Sequence, residues 1–215
     1  MIKGAIFDMD GTMFDTEALA LRGWLYAAEK YNYPITEEVV SKIRGTNAAY
    51  SRSLFRQLFG DSVDYDLARA MRTKYIDDYI EDHGVPVKDG LLELLNYLRE
   101  NKIKMAVATS THQQTAEKYL KKAQVYEYFD QYVYGDMISK GKPDPEIFQV
   151  AAGKLSLSTR ECIAFEDSPH GITAAKAAEC KVIAVPDLTP IEGEILAMVD
   201  AYCKNLRVAM KHVFD

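Results

Sequence analysis

Three consecutive apolar residues, Ala5-Ile6-Phe7, stop abruptly at Asp8-Met9-Asp10-Gly11-Thr12. A short apolar run bounded by turn-forming residues suits a buried strand. This strand must therefore deliver two acidic side chains at its carboxyl end. The pattern recurs along the chain. Lys104–Ala108 runs into Thr109-Ser110-Thr111, Glu161–Phe165 runs into Glu166-Asp167, Lys181–Val185 is a further strand, and Tyr132–Tyr134 is a short one. Helical stretches lie between them: 90–101 with Leu91, Leu94, Leu95 and Leu98 on one face, one ending near Lys122, one after Pro145 and one after Asp167. A last helix is expected over 205–215. Strands alternating with helices predict an α/β fold, a doubly wound parallel sheet covered on both faces.

One segment breaks this rhythm. Residues 15–84 contain no convincing strand and read as helices, punctuated by Gly45 and by Gly60-Asp61-Ser62 and closed by Gly84-Val85-Pro86. The first of them is expected over 17–32, with Thr16 as N-cap and Leu21, Trp24, Leu25 and Ala28 on one face. The expected organisation is an α/β core over 1–14 and 85–215, with an all-helical cap inserted at 15–84.

Composition excludes some classes of function. Hydrophobic residues make up 48% and charged residues 27% of the 215 positions, so the chain can bury a real core. A formal net charge of −6 without a dense basic run disfavours nucleic acid and anionic membrane as partners. Cys162, Cys180 and Cys203 form no C-x-x-C pair, which points to packed thiols in a reducing compartment. The apolar stretch at the N-terminus is too short for a signal peptide, and no window reaches the length of a membrane span. A cytoplasmic monomer is the expectation.

In open parallel sheets, ligands gather outside the carboxyl ends of the strands. Asp8 and Asp10, Thr109 and Ser110, and Glu166 and Asp167 all occupy such ends, and Lys142 lies in a loop between them. Four carboxyl groups in one cleft repel unless a cation or a proton neutralises them. An all-oxygen set with room for water suits Mg²⁺. Lys142 and the Thr109 hydroxyl add a positive charge and a donor, so the set matches the needs of a phosphoryl group in its transition state. Each residue alone has an ordinary explanation as a turn former, a helix cap or a solvated lysine. Their order and their strand-end placement carry the argument.

The motif Asp8-Met-Asp-Gly-Thr-Met-Phe-Asp-Thr16 resembles the signature of the haloacid dehalogenase-like superfamily. Val107-Ala-Thr-Ser110, Lys142-Pro143 with Pro145-Glu-Ile-Phe148, and Phe165-Glu-Asp-Ser-Pro-His-Gly-Ile172 resemble its later motifs in the same order. The subgroup it is most similar to contains β-phosphoglucomutases and phosphoglycolate phosphatases. The resemblance implies Asp8 as nucleophile and Asp10 as general acid and base. It implies Mg²⁺ on Asp8, the Asp10 carbonyl and Asp167, with Glu166 a direct or water-mediated ligand. Thr109 and the Ser110 N–H would hold phosphate, and Lys142 would bridge Asp8 and the phosphoryl oxygens. Asp15 and Thr16 would fix the hinge, and cap closure would exclude water.

Within the cap, Arg44-Gly45-Thr46-Asn47 resembles the substrate-specificity loop of that subgroup. Two departures from the mutases stand out. Ala20 occupies the place of a cap histidine, and Ala48 that of an arginine gripping a second phosphate. Both favour hydrolysis of a small phosphorylated metabolite over a mutase reaction. A metal-independent dehalogenase ranks lower, since its chemistry needs neither the acid Asp10 nor the ligand Asp167, and a non-catalytic binding protein ranks lower, since it would be free to lose Asp8, Asp10, Lys142 or Asp167 and all four are present. His170 is expected in an exposed loop, and His112 at the start of a helix.

Overall fold

The computed structural model describes residues 1–44 and 48–214, with only the backbone of Ala49. These residues form two compact units, Met1–Asp15 with Val85–Asp215, and Thr16–Gly84.

The larger unit is built on one sheet. Its strands are β1 (Gly4–Phe7), β2 (Lys104–Ala108), β3 (Gln131–Val133), β4 (Cys162–Glu166), β5 (Lys181–Ala184) and β6 (Ala201–Tyr202). They lie in the order β3-β2-β1-β4-β5-β6, and every pairing is parallel. All four residues of β1 are buried, as a strand flanked on both edges and covered on both faces requires. Register places Phe7 beside Val107 on one side and beside Phe165 on the other. The ends of β1, β2 and β4 are therefore level. Phe7 stacks on Phe165 with ring centroids 4.6 Å apart and meets Phe129 edge-on at 5.7 Å.

The helices of this unit are α5 (Leu91–Glu100), α6 (Gln113–Lys122), α7 (Glu146–Lys154), α8 (Pro169–Ala177), α9 (Gly193–Met198) and α10 (Leu206–Ala209); the smaller unit carries α1 (Thr16–Tyr31), α2 (Glu37–Ile43), α3 (Ala48–Phe59) and α4 (Tyr65–His83). Leu91, Leu94, Leu95 and Leu98 are all buried, as the 3.6-residue period predicts. His112 is the N-cap of α6. The helix expected over 205–215 is shorter: α10 ends at Ala209 and a 3₁₀ turn follows over Met210–His212. β6 has two residues, too few for a period to show in the sequence.

The smaller unit has its own core, in which Trp24 lies 5.3 Å from Phe55 and 5.9 Å from Tyr65 between ring centroids. Thr16 is the first residue of α1 rather than its cap. The buried face of α1 comprises Thr16, Leu19, Ala20, Gly23, Trp24, Ala27 and Ala28, while Leu25 is exposed. The face is thus rotated relative to the expected one. Gly23 explains the rotation, because a Cβ there would lie only 3.0 Å from the Arg72 carbonyl oxygen on α4. α2 and α4 begin at side-chain caps, Thr36 accepting from the Val39 N–H and Asp64 from the Leu67 N–H.

Candidate active site

The chain turns sharply where β1 ends. Asp8 still donates its N–H to the Phe165 carbonyl, so its backbone extends the ladder while its side chain leaves the sheet at the carboxyl edge. Gly11 follows at φ +89°, a conformation that disfavours a side chain, and a Cβ there would fall 2.3 Å from Asp167 Oδ2. The N–H groups of Met13 and Phe14 both donate to the Met9 carbonyl and close the loop. Thr12, fully buried, donates its hydroxyl to Asp167 Oδ1 at 2.9 Å.

Three carboxyl groups converge here. Asp8, Glu166 and Asp167 each offer an oxygen within 4.8 Å of the others, and all three are buried, at 7%, 0% and 6% exposure. Lys142 reaches into this cluster. Its Nζ lies 2.5 Å from Asp8 Oδ1 and 2.6 Å from Glu166 Oε1, over the face of the Phe148 ring. The second oxygen of Glu166 accepts from the N–H groups of Asp167 and Ser168 and from the Ser168 hydroxyl. Ser168 also caps α8, and Pro169 occupies the first turn, so the loop after β4 is locked where it meets the cluster. Gly171 completes the cradle: a Cβ at that position would fall 1.8 Å from Glu166 Oε1.

The charges do not balance. One ammonium faces three carboxyl groups. Burial pushes the Asp8 carboxyl up, to about 8; Lys142 pulls it down, and repulsion from Glu166 and Asp10 adds to the rise. Burial disfavours the Lys142 ammonium, yet Asp8 and Glu166 together hold its pKa above the ordinary lysine value. A divalent cation beside these oxygens would remove the imbalance, and the hard oxygen donors suit Mg²⁺. The residues present therefore fit such an ion.

Asp10 is held from the neighbouring strand. The Thr111 hydroxyl donates to Asp10 Oδ2 at 2.6 Å, and that of Thr109 approaches the same oxygen at 3.5 Å. Thr109 is buried, and its hydroxyl oxygen accepts the Thr111 N–H, while Ser110 is exposed at the tip of the same turn. Asp8, Asp10, Thr109, Ser110, Lys142, Glu166 and Asp167 thus all lie at one edge of the sheet. Arg44 belongs to the other unit, where it pairs with Glu17 at 3.8 Å. Gly45, Thr46 and Asn47 lie outside the described residues. His170 stands in the first turn of α8 rather than in a loop, exposed.

Sequence reasoning does not single out Thr12, Thr111 or the cradle at Gly171. Thr12 and Gly171 sit inside the quoted motifs, so their place in the pattern is visible. Thr111 has only its nearness to Thr109 to mark it.

Residues 5–185 match the family model described as haloacid dehalogenase-like hydrolase. The chain is 32% identical over 179 residues to the phosphorylated carbohydrates phosphatase of Thermotoga maritima, covering 82% of each chain. It is 29% identical over 203 residues to the β-phosphoglucomutase of Bacillus subtilis, covering 92% of this chain and 89% of that one. In fold it is similar to CbbY of Rhodobacter sphaeroides, crystallised with phosphate, at a TM-score of 0.81 over 96% of each chain and 24% identity. The chain belongs to the haloacid dehalogenase-like hydrolases.

Proposed function

From its place among the haloacid dehalogenase-like hydrolases, we propose that this protein is a Mg²⁺-dependent phosphatase of a small phosphorylated metabolite, a sugar phosphate or a compound of similar size. The observation that carries the reading is the buried Asp8 carboxylate at the end of the central strand, 2.5 Å from the Lys142 ammonium and within 4.8 Å of Glu166 and Asp167. A carboxylate placed only for structure would not be buried among two others.

Asp8 attacks phosphorus through one carboxylate oxygen, and the bond from phosphorus to the ester oxygen breaks as the aspartyl-phosphate forms. Asp10 gives its proton to the departing ester oxygen. It then takes a proton from the water that attacks the phosphorus, and phosphate leaves with Asp8 restored. Thr111 fixes the Asp10 carboxyl for both transfers. Thr109 and the Ser110 N–H receive the phosphoryl oxygens, and Lys142 orients Asp8 and offsets charge on the transferring group. Asp8, Asp167 and the Asp10 carbonyl would hold Mg²⁺, which supplies charge neutralisation at the phosphoryl group. Both oxygens of Glu166 already accept hydrogen bonds from protein groups, so Glu166 acts from behind, through Lys142 or through water.

The relative in Bacillus subtilis named β-phosphoglucomutase supports a second reading, transfer to a sugar hydroxyl instead of water. Ala20 and Ala48 stand where that chemistry would want a histidine and an arginine, and this ranks it second. The test is phosphate release from a panel of phosphomonoesters with Mg²⁺ and with EDTA, alongside Asp8→Asn. Metal-dependent release that Asp8→Asn abolishes, with unchanged circular dichroism, is the expected result. Turnover by Asp8→Asn, or release indifferent to EDTA, would sink the reading. Interconversion of β-glucose 1-phosphate and glucose 6-phosphate without net release would favour the mutase.

A further inference from the structure

Lys142 brings a buried charge from an exposed stretch of chain. Its side chain is 7% exposed, whereas Ser139, Lys140 and Gly141 before it lie at the surface. A Cβ on Gly141 would meet nothing within 4 Å, so packing does not fix this backbone. Polar ties do. Glu146, the first residue of α7, accepts the Ser139 N–H on Oε1 at 2.9 Å. Its Oε2 accepts the Ser139 hydroxyl at 2.7 Å and the Lys140 N–H at 2.8 Å. An acidic residue in the first turn of a helix is ordinarily explained by the helix dipole. Here both carboxylate oxygens are taken up by the preceding loop, and the Ser139 N–H above all draws the Glu146 carboxyl pKa below the ordinary glutamate value. Asp144 serves the helix end instead, its Oδ1 accepting the Glu146 N–H at 3.1 Å. The Asp144 N–H donates to the Gly141 carbonyl at 3.1 Å, so Lys142 and Pro143 form the middle of a closed turn. Glu146 holds the entry to that turn, and α7 holds its exit. Two residues further on, the Phe148 ring lies 5.3 Å from the Lys142 ammonium.

We propose that Glu146 is a positioning residue for Lys142: it ties the Ser139–Lys140 backbone to α7 and thereby sets where the ammonium stands between Asp8 and Glu166. A lysine stem has many rotamers, and holding it in one geometry is costly unless its backbone is already fixed. Without the Glu146 carboxylate the entry to the turn is left to water, and the ammonium leaves its two partners more often. The kinetic consequence rests on the phosphatase reading, whereas the placement of Lys142 does not. A misplacement of about 1 Å in a catalytic group can cost roughly 10²-fold in rate. In that reading Lys142 offsets charge on the transferring group, so the loss falls on kcat more than on KM.

Acetylation of lysines by an amine-reactive ester, followed by peptide mass spectrometry, reads the exposure of the ammonium without any turnover. The full-length protein is labelled as wild type, Glu146→Ala and Glu146→Gln. Lys88 is the internal control, half-buried and paired with Asp187 at 2.5 Å in a different loop. In Glu146→Ala, Lys142 should be labelled about 10-fold faster than in wild type while Lys88 is unchanged. Glu146→Gln keeps an oxygen for two of the three donors and should fall between. Lys142 labelling equal to wild type overturns the proposal. So does an equal rise at Lys88, which would mean general loosening rather than release of one turn. The second arm measures hydrolysis of p-nitrophenyl phosphate with Mg²⁺. Glu146→Ala should lower kcat roughly 10- to 100-fold and leave KM within about 3-fold, with Glu146→Gln again between. A loss confined to KM overturns the role. A wild type that releases phosphate from no phosphomonoester would count against the phosphatase reading and leave the labelling to decide whether Glu146 holds Lys142.

Discussion

Replacing Lys142 by Met should destabilise the protein by an amount that depends on pH in a definite direction. The methionine keeps most of the stem against Phe148 and removes the ammonium that lies 2.5 Å from Asp8 and 2.6 Å from Glu166. Breaking a buried ion pair by deleting one partner typically costs about 3–5 kcal/mol, because the other charge stays buried and unpaired. At this chain length about 1 kcal/mol corresponds to roughly 2–4 °C, so the melting temperature should fall by roughly 6–20 °C. In the variant no ammonium opposes the burial of Asp8 and its repulsion from Glu166 and Asp10, so the folded-state pKa of Asp8 rises further above its unfolded value. The folded protein then binds more protons than the unfolded one, and stability falls as pH rises through that window. The gap between variant and wild type should therefore stay even from about pH 4 to 8 and widen above about pH 8, where Asp8 ionises in the folded wild type but not yet in the variant. Thermal unfolding followed by circular dichroism in EDTA measures it, and Lys142→Met/Glu166→Gln should recover part of the loss. A melting temperature within about 2 °C of wild type, or a gap that does not widen above about pH 8, would refute the reasoning.

The same logic applies to the unmutated protein. Burial has pushed Asp8 up to about 8, so metal-free wild type should lose stability as pH rises from about 4 to 8. Scanning calorimetry in EDTA would show the slope, Asp8→Asn should flatten it, and a rising curve would contradict the assignment. Asp10→Asn should lower kcat by roughly 10²–10⁴-fold, the usual worth of general acid–base catalysis, and leave the melting curve nearly unchanged. Gly11→Ala combines a φ of +89° with a Cβ 2.3 Å from Asp167 Oδ2. It should weaken Mg²⁺ binding, read by calorimetric titration, and unchanged affinity would mean Asp167 is not a ligand.

The sheet was legible because burial on both faces writes a strand as an unbroken apolar run. The stop in each run marks the carboxyl end, so Asp8, Thr109 and Asp167 could be placed at one edge before any geometry was known. Other features hide in contacts distant in sequence. The period of α1 allows Leu25 to be buried, and only its close approach to Arg72 on α4 turns Gly23 inward instead. Nothing local distinguishes Thr111 from a helix-initiating threonine until its hydroxyl meets Asp10, 101 residues earlier. β6 and the short α10 depend on neighbours rather than on their own composition.

The electrostatics of the core edge imply an order of binding. Three carboxyl groups against one ammonium leave an ionised cluster of about −2, so a phosphate dianion approaching it would be repelled. Protonation of Asp8 relieves part of that charge but removes the nucleophile. A cation on the carboxylates relieves it while keeping Asp8 ionised, so Mg²⁺ should precede phosphate, and phosphate affinity without metal should be weak. A calorimetric titration with inorganic phosphate in EDTA should therefore show little binding, and adding Mg²⁺ should strengthen it, whereas equal affinity with and without the metal would contradict this order.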